Sequence, residues 1–145
     1  MRKYVEVFII SAFLLYGLIR VGVGSFLFSQ EMGLIDFEGF RDPIIEIGQF
    51  LGRATDKQLI PFSVAGYVAY IALMGLVLTA GALALLKNKH FGFSFIGAFL
   101  LMYTLLFVNF QTINPKAIHL GICIVFFILL YWLKGGFGKI LRADN

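Results

Sequence analysis

Residues 7–28 read VFIISAFLLYGLIRVGVGSFLF, an apolar stretch with one charged side chain, Arg20. A helix that spans a membrane needs about 20 consecutive and mostly apolar residues. Within lipid, every backbone N–H and C=O must be hydrogen-bonded inside the protein, and a single continuous segment achieves this only as a helix. This stretch therefore predicts a membrane-spanning helix near the N-terminus.

Three further stretches have the same apolar character, at residues 62–86, 91–110 and 117–133. Across the chain, 60% of the 145 residues are hydrophobic and 14% are charged, and the mean hydropathy is +0.91. In soluble domains roughly a quarter of the residues are charged, and the strands of membrane barrels alternate polar and apolar positions over about 10 residues. Both classes are excluded, and we expect an all-α membrane protein with four spans.

The connections between these stretches predict their arrangement. The links at 87–90 and 111–116 are short, and short links make neighbouring helices antiparallel. The connection at 29–61 is long, so it is expected to be functional or to have structure of its own. Within it, Pro43 precedes apolar residues at helical spacing, which predicts a short amphipathic helix on the membrane surface or over the end of the bundle.

We therefore expect one domain, residues 1–134, which is an antiparallel four-helix transmembrane bundle with this amphipathic helix in its long outer loop. A polar tail follows at 135–145. Seven lysines and arginines lie in the N-terminus, the 87–90 link and the tail, whereas four lie on the other side. Because basic residues collect on the cytoplasmic side, both termini are predicted to be cytoplasmic in a protein of the inner (plasma) membrane.

Arg20 is the basic residue that this sorting does not place. An arginine in the middle of a span costs about 2.5–3.5 kcal/mol on insertion scales. Its side chain leans toward the helix N-terminus, which here means deeper into the bilayer. A partner within the bundle is therefore expected. Arg20 either binds an anionic or polar ligand, or it is a structural arginine bonded to backbone carbonyls or tyrosines.

Tyr67, Tyr70 and Tyr103 match the depth of Arg20 when positions are counted from the outer ends of the predicted spans. Asn109 and His119 lie above this level, and the candidate site residues beside Arg20 are Tyr70, Tyr103, Asn109, His119 and Glu31. Glu31 follows the first span and could fold back toward Arg20. Together these residues predict a ligand-binding layer in the outer half of the bundle. Each has a structural interpretation as well, since tyrosines collect at membrane interfaces and a lone histidine is more often a hydrogen-bonded structural residue.

Cofactor and partner chemistry is constrained by what the sequence contains. The single cysteine, Cys123, excludes dithiol chemistry carried by this chain alone. No metal-ligand spacing or nucleotide motif is present. The cofactor stays unknown at this point, and a quinone or a lipid is compatible with the sequence. The expected partners are membrane lipids and, through small residues spaced four apart, a membrane protein or a second copy of the chain. The net charge of +4 fits the cytoplasmic basic excess rather than nucleic-acid binding.

Three stretches carry a resemblance to a known family. They are Arg20–Phe28, Gly75–Gly81 ahead of the basic turn at Lys87, and His119–Gly121. In their order they resemble the DoxX-like family of small four-helix membrane proteins, and the likeness of layout covers most of the chain. It implies a bacterial inner-membrane protein with both termini inside, of a kind often linked to quinone-side or thiol-linked redox systems. Many members carry an acid in the second span, where this chain has Tyr70 and Ile71, so the family's usual partner of Arg20 is missing here.

Three functions fit these features. The first is a DoxX-like accessory to a membrane redox or small-molecule system, with a polar pocket near Arg20. The second is a structural or assembly subunit of a larger membrane complex. The third is a small multidrug-type transporter, a class that relies on a membrane-embedded glutamate in the first span, where this chain has Arg20. The sequence assigns no reaction, and the chain is not expected to be an enzyme on its own.

Overall fold

The computed structural model describes residues 2–111 and 116–134, and these ranges contain helices and no strands. The longer helices are α1 (Arg2–Glu31), α2 (Arg41–Arg53), α3 (Val64–Leu86), α4 (Gly92–Phe110) and α5 (Lys116–Leu133). Short 3-10 turns at Glu38–Phe40 and Thr55–Lys57 flank α2. The predicted polar tail at 135–145 and the Asn114-Pro115 pair lie outside the described residues.

The all-helical prediction is confirmed, and α1, α3 and α4 are each long and apolar enough to cross a membrane. The apolar part of α5, Ala117–Leu133, is shorter. The short helix predicted near Pro43 is present as α2. The largest difference from prediction is α1, which extends beyond residues 7–28 at both ends.

Specific backbone turns end α1 and α3. After α1, Gly33 has a φ of 70°, and the N–H of Leu34 donates to the carbonyl of Ser29 at 2.9 Å. After α3, Asn88 has a φ of 54°, and the N–H of Lys89 donates to the carbonyl of Ala84 at 2.8 Å. Both are Schellman turns, in which a residue that tolerates a left-handed backbone reverses the chain while the last carbonyls stay hydrogen-bonded.

The four longest helices pack side by side, with α1 against α3, α3 against α4, α4 against α5, and α5 against α1. At the α1–α3 interface the backbones approach so closely that only glycine fits. A Cβ atom on Gly17 would lie 2.5 Å from Thr79 Oγ1, and one on Gly75 would lie 2.7 Å from the backbone nitrogen of Val21. Farther along, a Cβ on Gly24 would lie 2.9 Å from the nitrogen of Ala72. Small residues at helical spacing therefore serve contacts within the chain.

The amphipathic helix α2 covers one end of this arrangement. Its buried residue Leu51 is 5% exposed, and the Phe50 ring lies 5.0 Å from that of Phe110 and 6.3 Å from that of Tyr67. At the opposite end, Lys134 forms an ion pair with Glu6 at 2.7 Å. Apolar contacts thus hold α2 over one end of the helices, whereas charged groups tie the other end together.

Candidate ligand-binding site

A cavity of about 400 Å³ lies beneath α2, between α1, α3 and α4, with one contribution from α5. We call it the Arg20 cavity. Its polar and aromatic lining includes Tyr16, Arg20, Phe50, Tyr67, Tyr103 and His119. The rest of the lining is mainly apolar, and the described lining residues include no acidic side chain. A volume of this size with few polar groups is typical of a small-molecule site.

The guanidinium of Arg20 lies among three aromatic rings. Its Cζ is 4.6 Å from the ring centre of Tyr103, 4.7 Å from that of Tyr16 and 5.6 Å from that of Phe99. Its Nη2 donates a hydrogen bond to the hydroxyl of Tyr16 at 2.6 Å. Tyr16 lies one turn N-terminal to Arg20, the direction in which a helical side chain leans. Cation–π contacts are strongest when desolvated, so these rings offset part of the cost of holding the charge here.

One donor of Arg20 has no acceptor among the residues that the structure describes. Its Nε is buried and has no hydrogen-bond partner among the described residues. A buried donor left unpaired costs about 1–3 kcal/mol, and more when the group is charged. An acceptor atom of a bound molecule would satisfy this N–H. The cavity therefore combines a fixed positive charge, an unpaired donor and an apolar wall.

The structure brings some of the predicted site residues together and separates others. Tyr103 and His119 line the Arg20 cavity with Arg20 itself. Tyr70 does not, because its hydroxyl donates to the backbone carbonyl of Met102 at 3.0 Å and so joins α3 to α4. Tyr67, one turn earlier on α3, takes the cavity-facing position.

Asn109 and Glu31 also lie away from the cavity lining. Asn109 is 8% exposed, and its amide makes two hydrogen bonds with the backbone of Ile60, at 2.7 and 3.0 Å. It fastens the segment before α3 to the end of α4. Glu31 is exposed at the end of α1. Within the described part of the chain the ion pairs join other acids to other bases, so the approach of Glu31 to Arg20 is not observed.

The sequence reasoning missed several residues of the site. Tyr16 and Phe99 contact Arg20 directly, and Ile47 and Phe50 of α2 form the roof. A signal for Tyr16 was available, because a side chain four positions before Arg20 lies on the same face of a helix. The roof residues belong to the predicted amphipathic helix, but spacing alone gives no position for that helix over the cavity.

A second cavity of about 190 Å³ adjoins the first between α1 and α5. We call it the α1–α5 crevice. It shares Tyr16 and His119 with the Arg20 cavity, and its other lining includes Phe13, Ile122, Cys123 and Phe126. The crevice is almost entirely apolar. The two adjoining cavities therefore place a hydrophobic space next to the space that Arg20 lines.

These features define an all-helical chain with three helices long enough to cross a membrane and a cationic, aromatic-lined cavity among them. No family model, curated protein or solved structure matches this chain.

Proposed function

We propose that the chain is a multi-pass protein of the inner membrane in which α1, α3, α4 and α5 form an antiparallel four-helix transmembrane bundle. Two observations support this arrangement. Large apolar side chains face outward on every long helix, among them Leu15, Leu73, Leu101 and Val125 at 50–62% exposure. The contact pairs also run in opposite order along α1 and α3, from Gly17 with Thr79 to Gly24 with Ala72. The excess of basic residues at the ends of the chain and in the 87–90 link supports a cytoplasmic location for both termini.

Within this arrangement, the proposed function is that of a DoxX-like accessory protein that binds a small molecule for a membrane redox or small-molecule system. The observation that carries the proposal is Arg20 itself, which lines a cavity with no acidic side chain among its described lining residues and whose buried Nε has no acceptor among them. An arginine side chain offers N–H donors in a fixed planar fork and no acceptor, so Arg20 supplies binding and orientation. A quinone oxygen or an acidic lipid group would each provide the missing acceptor.

A structural or assembly subunit is the second proposal, and one observation favours it. A Cβ added at Gly121 of α5 meets nothing within 4 Å, so this face has room for a helix of another protein. The glycines of α1 and α3 offer less support, because the contacts within the chain already occupy Gly17, Gly24 and Gly75.

The two proposals are separated by native mass spectrometry of the full chain, extracted in a mild detergent. We expect wild-type protein to carry a small-molecule adduct, and Arg20→Met to lower its occupancy by about tenfold or more, since a hydrogen bond to a charged group contributes about 1.5–3 kcal/mol. Arg41→Met is the matched control, because Arg41 is an exposed arginine outside the cavity. Equal occupancy in both variants, or a stoichiometric protein partner with no adduct, would overturn ligand binding at Arg20 in favour of the subunit.

A further inference from the structure

We infer that the ligand of the Arg20 cavity is a single-chain fatty acid that enters from the bilayer between α1 and α5. Its carboxylate binds Arg20, and its hydrocarbon chain lies in the α1–α5 crevice. This inference rests on the proposed function and names the ligand class of the same site.

The α1–α5 interface has the shape of a wedge that opens toward Arg20. At one end α1 and α5 are joined by the side chain of Arg2, which donates to the backbone carbonyl of Leu133. Farther along, the rings of Phe13 and Phe126 still meet edge to face, with centres 6.2 Å apart. These two rings line the crevice, which extends along both helices to Tyr16 and His119.

The wedge is open on its outer side. Ile19 lines the Arg20 cavity and is 53% exposed, and Ile122 lines the crevice and is 47% exposed. Side chains that belong to both a cavity wall and the outer surface mark a lateral opening. In the proposed membrane arrangement that surface contacts lipid, so a molecule dissolved in the bilayer reaches the cavity without crossing water.

The charge pattern selects a monoanion. Arg20 is the one permanently charged group among the described residues that line the two cavities, and its Nε needs one acceptor. A carboxylate supplies one negative charge and acceptor oxygens in the plane that guanidinium donors favour. A phosphate monoester would bring more negative charge than this lining neutralises. The phosphodiester of a phospholipid is itself a monoanion, and it differs from a fatty acid in the number of its chains.

The apolar part of the site selects a single chain. Two described cavities share lining residues with the Arg20 cavity. The one that shares Ile47, Phe50 and Tyr67 is polar, with Glu46, Gln49 and Arg53 in its lining, so the α1–α5 crevice, which shares Tyr16 and His119, is the apolar one. From Arg20 to Ala12, the farthest lining residue of α1, the distance along the helix is about 12 Å. This direction points into the bilayer in the proposed topology, as the chain of an outer-leaflet lipid does. A two-chain phospholipid would need a second groove.

The test uses the full chain in nanodiscs with palmitate that carries a photoreactive diazirine in mid-chain. We expect cross-links on the α1 and α5 peptides that contain Phe13 and Ile122. Hexadecanol with the same diazirine has no carboxylate, and it should label these peptides about tenfold less, because it lacks the charged hydrogen bond.

Two substitutions on α5 distinguish binding of palmitate in the crevice from contact with the lipid-facing surface in general. Ile122→Trp fills the crevice mouth and should lower palmitate cross-linking by about fivefold or more. Ile128→Trp adds the same side chain at another exposed position of α5, outside the described cavity linings, and should leave cross-linking within about twofold of wild type. Should Ile122→Trp fail to fold, Ala12→Leu narrows the same crevice from α1.

Equal labelling by palmitate and hexadecanol, or equal labelling of the two α5 variants, overturns the inference. Calorimetry with hexanoate, a short soluble carboxylate, then decides the status of the proposed function. If hexanoate binds wild type and not Arg20→Met, the anion site stands and the crevice is not its chain-binding part. If neither hexanoate nor palmitate binds, both the inference and the small-molecule proposal fail.

Discussion

The two interfaces of α1 differ in a way that separates stability from binding. Against α3, α1 is in backbone contact at glycines, where added atoms have no space. Against α5, it touches at the Arg2 end and at Phe13, and then a crevice intervenes. Close packing along one interface fixes the position of α1, so the other interface can remain open without loosening the helix. Arg20 is held on the fixed helix and lines the Arg20 cavity, while its Nε is buried without an acceptor among the described residues.

The largest expected effect on stability is at the α1–α3 interface, which we call the closed interface because the two backbones are in contact there. Gly75→Ala places a Cβ 2.7 Å from the backbone nitrogen of Val21 and 2.8 Å from the carbonyl oxygen of Gly17. Backbone atoms cannot rotate away as a side chain can, so we expect the free energy of unfolding in detergent to fall by about 1–3 kcal/mol.

Gly97→Ala is the matched control for Gly75→Ala. Gly97 also lies within a helix, α4, but a Cβ there meets nothing within 4 Å. Because alanine is the better helix former, the free energy of unfolding of this variant should rise by about 0.5–1 kcal/mol. Equal losses at the two positions would contradict the assignment of the α1–α3 interface as closed.

A smaller effect on stability is expected at the α1–α5 interface, which we call the open interface because it contains the crevice. Cys123→Leu adds atoms on α5 beside the crevice that Cys123 lines. Since the added methyl groups enter existing space, we expect the free energy of unfolding to change by less than about 1 kcal/mol. The companion variant is Gly75→Leu. It should lower the free energy of unfolding far more, because the new side chain meets backbone atoms of α1. A loss at Cys123 as large as that at Gly75 would show that α5 packs against α1 as tightly as α3 does.

The smallest effect is expected outside both interfaces, in the loop that follows α1. Hydrogen bonds from Arg41 and then Gln30, together with the charge of Arg41, hold the pKa of the exposed Asp36 carboxyl below its ordinary value of 3.8. A group whose pKa is lower in the folded chain stabilises the fold above its ordinary pKa. That contribution disappears as the pH falls through the lowered value.

This pH dependence can be measured by comparing wild type with Asp36→Asn. The thermal midpoint of wild type should exceed that of the variant slightly at about pH 6, and the difference should shrink as the pH falls below the ordinary pKa of 3.8 and through the lowered one. Salt should also reduce the difference, because the pair is exposed. A difference that grows as the pH falls would contradict the assigned direction of the pKa.

Much of the local structure could be predicted, because helix length and apolarity are properties of each segment. The observed α3, α4 and α5 begin and end within two residues of the predicted stretches. The candidate site was predicted less well. Tyr67 and Tyr70 differ by about 60° around α3, and only the former lines the Arg20 cavity. Counting residues gives the depth of a side chain along a helix. It does not give the direction around the helix axis in which that side chain faces.

The sequence by itself determined that the chain is helical and apolar and that Arg20 is the charge without a place among the loops. It also determined where α2 forms, because proline and apolar spacing are local signals. The tertiary structure alone decided which rings surround Arg20, that α2 covers the cavity, and that α1 closes on α3 but not on α5. The physical reason is that each of these depends on contact between segments distant in sequence, such as Gly75 against Val21, and such contacts set the rotation and spacing of whole helices.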